Sequence, residues 1–257
     1  MLGALAPQRT RRKMVASTNA ATVTGRSARA AHRDSLLRMI LQLERPLVFL
    51  DFETTGLDVK NDRILELAFI RLLPDGTREE FVQRINPGVE VSKTAAKVTG
   101  IHSNDAMGLF WGPPLKKVGD KLLDFLGDSD IAGFNQINYD MPLWRNECRR
   151  HEIAYDEGNR AQVDVKVIFN VCEKTWDRFL MGPRNLSAAV RHYCGRELEG
   201  AHAAEHDTHA TIDVLLAQLE RHTDLPRDVK GLSDFCLRNS DTNRDDEPSE
   251  ISGGAGL

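Results

Sequence analysis

No long hydrophobic run occurs in this sequence of 257 residues. No stretch approaches the roughly 18 apolar residues that a membrane-spanning helix needs, so an integral membrane protein is excluded. The composition, with 41% hydrophobic and 28% charged residues, is otherwise that of an ordinary soluble globular chain. The length allows one large domain or two small ones, with enough chain to bury a core.

Cysteines are few, and no two of them lie close together. The four cysteines are at least 22 residues apart and form no C-x-x-C pair; they are Cys148, Cys172, Cys194 and Cys236. A disulfide scaffold or a zinc module is therefore not expected, whereas reduced thiols in a reducing compartment fit the pattern. We accordingly expect a cytoplasmic protein.

Acidic residues are absent from positions 1–33, which hold seven of the 34 Lys and Arg residues. The rest of the chain has 27 basic against 38 acidic residues, a net charge of −11. Such a body does not attract polyanions by bulk charge, so nucleic-acid binding would require local groups or bound cations. This leader predicts a disordered basic extension over residues 1–44, or a true start codon further along the sequence. An Arg-rich, acid-free leader is also typical of an organellar transit peptide, which is the alternative localisation.

Residues 45–222 are predicted to form one α/β domain. Strand patterns come first and helical patterns then alternate with shorter strands, which favours a mixed β-sheet flanked by helices. The strand patterns cover 46–53, 63–73, 77–85, 130–134 and 162–165, and the helical patterns cover 115–126, 139–150, 186–194 and 203–222. Residues 223–257 are predicted to form a short C-terminal segment with an acidic disordered tail.

Two acidic residues stand at the end of the first strand pattern. Side chains alternate in a strand, so Asp51 and Glu53 should point to the same face, about 7 Å apart. Two carboxylates at the end of a buried strand resist ionisation unless a cation compensates them. The bland alternative is a strand end where both side chains reach water. A phosphatase D-x-D-x-T site is rejected because Glu53 occupies the position of its second Asp.

Two further acidic residues lie at predicted helix starts. Asp140 follows the strand pattern at 130–134, where it could merely cap the helix. Asp207 borders the apolar stripe of the last predicted helix and needs a partner if it is buried. His202 lies at the entry of that helix. A rival i, i+4 pair, His209 and Asp213, is interpreted as exposed.

Together these residues predict a metal site at one edge of the sheet. The ligands are carboxylate oxygens, which suit Mg²⁺ or Mn²⁺ rather than zinc. Gly56, after Thr54 and Thr55, would let the backbone turn sharply and offer N–H groups to a ligand.

The order of these motifs resembles the DEDDh family of 3′–5′ exonucleases, the DnaQ-like group that includes RNase T and the proofreading subunit of bacterial DNA polymerase III. The resemblance rests on D-x-E-T-T-G-L at 51–57, Asn135-x4-Asp140 and His202-x4-Asp207, with support from segments 62–68 and 97–101. It covers residues 45–222. The interval from Asn135 to Asp140 is one residue longer than in the commonest proofreading form, and the leader and tail have no counterpart.

The resemblance implies a ribonuclease H-like fold and phosphodiester hydrolysis with two metal ions. Asp51, Glu53, Asp140 and Asp207 would hold two Mg²⁺ ions, for which Mn²⁺ can substitute. His202 would accept the proton of the attacking water, a role that suits a group titrating near neutrality.

The remaining implied residues concern the substrate. Thr54, Thr55 and Gly56 would present backbone to the terminal nucleotide, and Asn135 would contact the substrate. Leu57 would wedge against the terminal base, with a place in the core as its alternative.

The implied partner is nucleic acid with a free 3′ end, single-stranded DNA before RNA, in DNA replication or repair. A DNA polymerase is a second candidate partner, and no membrane is expected. The alternatives are an RNA-trimming exoribonuclease of the same fold and an inactive module that binds nucleic acid or a polymerase. The complete set of acids argues against the inactive module. The sequence does not fix the oligomeric state.

Overall fold

The computed structural model describes residues 40–102 and 112–241. Most of the predicted basic leader and most of the acidic tail lie outside these residues.

A mixed sheet of five strands forms the centre of the described structure. The strands are β1 (Leu47–Thr54), β2 (Ile64–Leu72), β3 (Arg78–Arg84), β4 (Asp130–Gly133) and β5 (Gln162–Asp164), in the order β3-β2-β1-β4-β5. The first three strands are antiparallel neighbours, whereas β4 is parallel to β1 and β5 is parallel to β4. The predicted mixed sheet of a ribonuclease H-like fold is thereby confirmed.

Helices cover the sheet. They are α1 (Lys93–Thr99), α2 (Leu115–Leu126), α3 (Asp140–His151), α4 (Val165–Cys172), α5 (Arg178–Met181), α6 (Leu186–Ala189), α7 (Ala204–Arg221) and α8 (Val229–Arg238). Within the described ranges, none of these helices is both long and apolar enough to cross a membrane.

Strand β1 separates two parts of the core. Val48, Leu50 and Phe52 pack with the buried residues of α2 and α3. Leu47 and Phe49 pack instead with buried residues of α7 and α8. Because alternate residues share a face, Asp51 and Glu53 continue the row of Leu47 and Phe49 and lie on the side covered by α7.

Some helices differ from the predictions. The predicted helix 186–194 is α-helical only through Ala189, and Val190–Cys194 form a π-helical turn. Helix α4 was not predicted, since its Val- and Ile-rich sequence favours a strand. The side chain of Asp164 accepts hydrogen bonds from the first backbone N–H groups of this segment and so starts the helix.

The buried core continues beyond residue 222. Leu225, Val229, Leu232 and Cys236 belong to the same cluster as Leu47 and Phe49, and so does Leu41 before β1. Helix α8 lies along β5, where Ser233 Oγ accepts from the Gln162 N–H at 2.9 Å. The proposed limits of the domain, 45 and 222, stay a prediction, and the described core includes residues on both sides of them.

Candidate active site

One cleft lies where β1 ends and where α3 and α7 begin. Its volume is about 650 Å³. All ten site residues that the sequence predicts line it: Asp51, Glu53, Thr54, Thr55, Gly56, Leu57, Asn135, Asp140, His202 and Asp207. The fold therefore brings together segments that are about 150 residues apart in the sequence.

Strand β1 supplies the first two carboxylates. Glu53 is buried, with 6% of its surface exposed, and Asp51 is half-buried. Burial raises the pKa of Asp51 well above its usual value, and the charges of Asp140 and Asp207 add to the rise. Burial, the charge of Asp207 and that of Glu66 raise the pKa of Glu53 to about 7. Both side chains therefore resist ionisation in the absence of cations.

Asp140 is the first residue of α3 and is only 4% exposed. The cap position belongs to Tyr139, and no side chain caps this helix, so Asp140 is not the helix cap that the sequence left open. Burial raises its pKa to about 8. A buried acid with this pKa is a functional candidate rather than a local helix signal.

Asp207 and His202 come from the entry of α7. The His202 backbone has φ 68°, and its N–H donates to Asp207 Oδ2 at 3.3 Å. The imidazole is exposed, and one ligand atom each of Glu53, His202 and Asp207 lies within 4.8 Å of the others. Burial raises the pKa of Asp207, although the His202 N–H and nearby histidines oppose the rise.

The turn after β1 forms one wall of the cleft. Thr55 Oγ1 donates to Asp62 Oδ1 at 2.6 Å, which ties the turn to the following loop. A side chain at Gly56 would meet the Asp62 carboxylate at 2.6 Å, so a larger residue there would displace the Asp62 side chain. Leu57 is 83% exposed, which contradicts the alternative that it belongs to the core.

Asn135 lies in the loop after β4 and also lines the cleft. Its backbone adopts φ 67°, and its N–H donates to Asp164 Oδ1 at 2.9 Å. Asp164 is fully buried and also accepts from the N–H of Ile137 at 3.1 Å. This carboxylate therefore fixes the loop that leads to Asp140.

The rival pair, His209 and Asp213, has other partners. His209 Nε2 lies 3.4 Å from Glu80 Oε1, and Asp213 Oδ2 accepts from Arg196 at 2.9 Å. Glu80, Glu205 and His209 also form a close group with ligand atoms within 4.8 Å. His209 and Asp213 are not among the residues that line the cleft.

The cleft also includes residues that the sequence did not single out. They are Phe52, Phe134, Tyr139 and five residues in or beside α1: Ser92, Thr94, Ala95, Val98 and Thr99. Tyr139 directly precedes Asp140, a predicted site residue, so its place in the sequence could have indicated that it lines the cleft. Helix α1 has only seven residues and no apolar periodicity that would distinguish it.

The residues of the cleft fit divalent cations. Four carboxylates converge on it, and Asp207 Oδ1 is buried without a hydrogen-bond partner among the described residues. A buried carboxylate oxygen without a donor is costly unless a cation or water satisfies it. Carboxylate oxygens are the ligands that Mg²⁺ and Mn²⁺ prefer.

Known proteins with similar sequences share this region. The model of the RNase T family, described as an exonuclease, matches residues 48–215. The PolC-type DNA polymerase III of Clostridium perfringens is 25% identical over 200 residues, covering 77% of this chain and 13% of that protein. The enzyme of the same name from Streptococcus pyogenes serotype M1 is 24% identical over 198 residues, covering 77% and 12%. The chain therefore spans a small part of these polymerases.

Solved structures share the fold. The zinc-bound complex of E. coli exonuclease I with single-stranded DNA superposes with a TM-score of 0.62 at 20% identity, covering 76% of this chain and 43% of that one. Exonuclease I from Methylocaldum szegediense gives a TM-score of 0.61 at 22% identity, covering 78% and 45%. The chain thus spans less than half of these structures.

Proposed function

The chain belongs to the DnaQ-like RNase T family of 3′–5′ exonucleases, and we propose that it removes nucleotides one at a time from the 3′ end of DNA. The main support is the convergence of Asp51, Glu53, Asp140 and Asp207 in one cleft, inside the region that matches the family. A binding module has no need for four converging carboxylates that repel one another.

The four carboxylates would hold two Mg²⁺ ions, or Mn²⁺ in their place. When bound, such ions lower the pKa of an attacking water and stabilise the leaving 3′ oxygen. They would also offset the negative charge of the site, so that an acidic domain can bind the phosphate backbone of a nucleic acid.

His202 would accept a proton from the attacking water at its imidazole. The side chain is exposed at the mouth of the cleft, and its backbone is tied to Asp207. This placement leaves the ring free to reorient while the backbone stays near the carboxylates. Imidazole side chains commonly serve as general bases.

The turn at 54–57 and the loop at Asn135 would hold the terminal nucleotide from two sides. Thr54, Thr55 and Gly56 would present backbone atoms, and the exposed Leu57 would contact the base. Asn135 would contact the substrate from the loop after β4.

Single-stranded DNA is the substrate that we favour, in replication or repair. The similar proteins are DNA polymerases and exonuclease I, one of which was solved with single-stranded DNA. A DNA polymerase is accordingly the protein partner that we propose first. The four cysteines are free thiols, which supports a reducing, cytoplasmic location. An RNA-trimming enzyme with the same mechanism is the second candidate, since both substrates offer the same phosphodiester.

The proposal is tested by a time course on 5′-labelled single-stranded DNA and RNA of equal sequence. We expect a ladder that shortens by one nucleotide at a time in Mg²⁺ or Mn²⁺, disappears in EDTA and forms faster on DNA. His202→Ala should slow it by about 100-fold or more, as expected for loss of a general base. His206→Ala, a matched change in the same segment, should retain activity.

Each contrary result has a defined meaning. Faster cleavage of RNA would replace the DNA substrate with the second candidate. Absence of cleavage of either strand in Mn²⁺, by protein shown to be folded, would overturn the exonuclease and favour the binding module.

A further inference from the structure

The hydroxyl of Tyr139 joins two of the three segments that supply site carboxylates, the end of β1 and the start of α3. It lies 2.6 Å from Thr54 Oγ1 and 2.7 Å from the carbonyl oxygen of Gly56. Thr54 Oγ1 in turn lies 2.8 Å from the same carbonyl oxygen. Three oxygen atoms therefore form a closed triangle between the end of β1 and the start of α3.

The donors in this triangle can be counted. The Gly56 carbonyl only accepts, so two hydroxyl protons serve three contacts. The 2.6 Å contact between the hydroxyls requires a proton between them, and the other proton is then donated to Gly56. Either hydroxyl can be the one that donates to the carbonyl. The triangle is thus satisfied in two equivalent ways.

The position of the triangle connects it with the site. Thr54 follows Glu53, and Tyr139 precedes Asp140. Each residue of the triangle that carries a hydroxyl is therefore the sequence neighbour of a proposed metal ligand. The pairing of β1 with β2 is irregular between Glu53 and Thr54, so the sheet alone does not fix the turn that follows. The Tyr139 hydroxyl, directly before α3, adds a constraint at this point.

The outer half of the turn has separate anchors. Thr55 Oγ1 donates to Asp62 and accepts from the Arg63 N–H at 3.0 Å, and the Asp58 N–H donates to Asp62 Oδ2 at 2.8 Å. These bonds do not involve Tyr139. Loss of the tyrosine hydroxyl should therefore loosen the inner part of the turn without unfolding the loop.

We propose that Tyr139 is a positioning residue that holds the turn 54–57 in the geometry that receives the terminal nucleotide. This inference rests on the proposed function, because it takes the turn as the nucleotide-binding wall. It concerns substrate placement and not the metal ligands, which the hydroxyl does not contact in the described structure. It predicts an effect on substrate binding that is separate from the chemical step.

Tyr139→Phe tests the inference, with Tyr155→Phe as a matched control. Tyr155 also packs beside α3, its ring centroid 5.8 Å from that of Trp144, and its hydroxyl has no hydrogen-bond partner among the described residues. For Tyr139→Phe we expect KM for a single-stranded DNA oligonucleotide to rise about three- to tenfold, as for one lost hydrogen bond, with kcat almost unchanged. Affinity for the product nucleotide dTMP in Mn²⁺, measured by calorimetry, should fall by the same factor. Mn²⁺ affinity without nucleotide should not change, and Tyr155→Phe should alter none of these values.

A double variant sharpens the test. In Tyr139→Phe the Thr54 hydroxyl can still donate to Gly56, and in Thr54→Val the Tyr139 hydroxyl can do so. The double variant leaves that carbonyl without either donor. Its increase in KM should therefore exceed the product of the two single increases.

The outcomes separate this inference from the proposed function. Unchanged KM and unchanged dTMP affinity in Tyr139→Phe would overturn the inference while wild-type exonuclease activity stands. A fall in kcat at constant KM, or a loss of Mn²⁺ affinity, would also overturn it, since the hydroxyl would then act on the chemistry or the ligands. If the wild type degrades no 3′ end but Tyr139→Phe weakens dTMP binding, the exonuclease fails and the positioning role remains.

Discussion

The carboxylates at the two ends of helix α7 have pKa values that are shifted in opposite directions. At its start, Asp207 faces Asp51 and Glu53, and the pKa values of these acids are raised. At its far end, Glu173 lies between His192 and His222, whose Nε2 atoms are 3.1 and 3.3 Å from Glu173 Oε1. Helix α7 therefore connects a carboxylate cluster with few donors to a single carboxylate that accepts from Tyr193 and lies beside two histidines.

The hydrogen-bond donors account for the difference. Burial raises the pKa of Glu173. Hydrogen bonds from His192 and Tyr193 and the charges of His192 and Arg221 outweigh this effect and leave the pKa below its usual value. The Tyr193 hydroxyl donates at 3.0 Å, and the ring of Phe169 packs against this group. In contrast, Asp207 Oδ1 has no partner among the described residues. A carboxylate whose donors are all supplied by protein stabilises the fold, whereas one that lacks them is available to a cation.

The largest expected effect is the loss of hydrolysis when one acid of the cleft is neutralised. Asp51→Asn or Asp207→Asn should lower kcat at saturating Mg²⁺ by at least about 1000-fold, because each would remove a ligand of the ions that do the chemistry. The fold should remain, and melting in EDTA should occur at the same or a higher temperature because repulsion is relieved. Asp213→Asn on the same helix is the control and should retain activity. Near-normal turnover in either site variant would contradict the assignment of the metal ligands.

A change at the far end of α7 should affect stability and not activity. Glu173→Gln should lower the free energy of unfolding by about 2 kcal/mol, the value of one hydrogen bond to a charged group. The midpoint of denaturant unfolding gives this value. Turnover per folded molecule should not change, since Glu173 is not among the residues that line the cleft. If Glu173→Gln reduced kcat without reducing stability, the division between a structural and a catalytic carboxylate would be wrong.

The sequence predicted much of the sheet and the acids of the cleft because both follow short-range rules. Alternation in β1 places Asp51 and Glu53 on one face, and the strand ends place Asp140 beside them. Leu47 and Phe49 confirm that face by packing with α7. The position of the cluster thus follows from local patterns and a mixed sheet.

Other features depend on contacts between distant residues and could not be predicted in this way. Helix α4 is made by the Asp164 cap and by burial, against a sequence that favours a strand. Tyr139 gains its interest only when the turn at Gly56 lies beside it, 83 residues away in sequence. In the sequence, Glu173 is an ordinary acidic residue at a helix end. Its role depends on His192 and His222, which the fold places beside it.

The smallest expected effect is the contribution of the cleft acids to the dependence of stability on pH. The pKa of Glu53 is about 7 and that of Asp140 about 8, both above the values of 4.5 and 3.8 for the ordinary groups. Between about pH 5 and 8 the folded chain without metal therefore holds protons that the unfolded chain has released. This contribution to stability is complete at low pH and is lost as the pH rises through 7 and 8. Melting temperatures in EDTA should therefore fall over this range.

Asp140→Asn isolates this contribution from the other titrating groups of the chain. The melting temperature of the wild type, minus that of Asp140→Asn, should fall by at least about 2 °C between pH 5 and 8 in EDTA. Mg²⁺ should reverse the sign of the slope for the wild type, because ions bind the ionised carboxylates and displace their protons. Equal pH slopes for both proteins in EDTA would mean that these acids ionise as they do in water, and the contrast with Glu173 would then lose its physical basis.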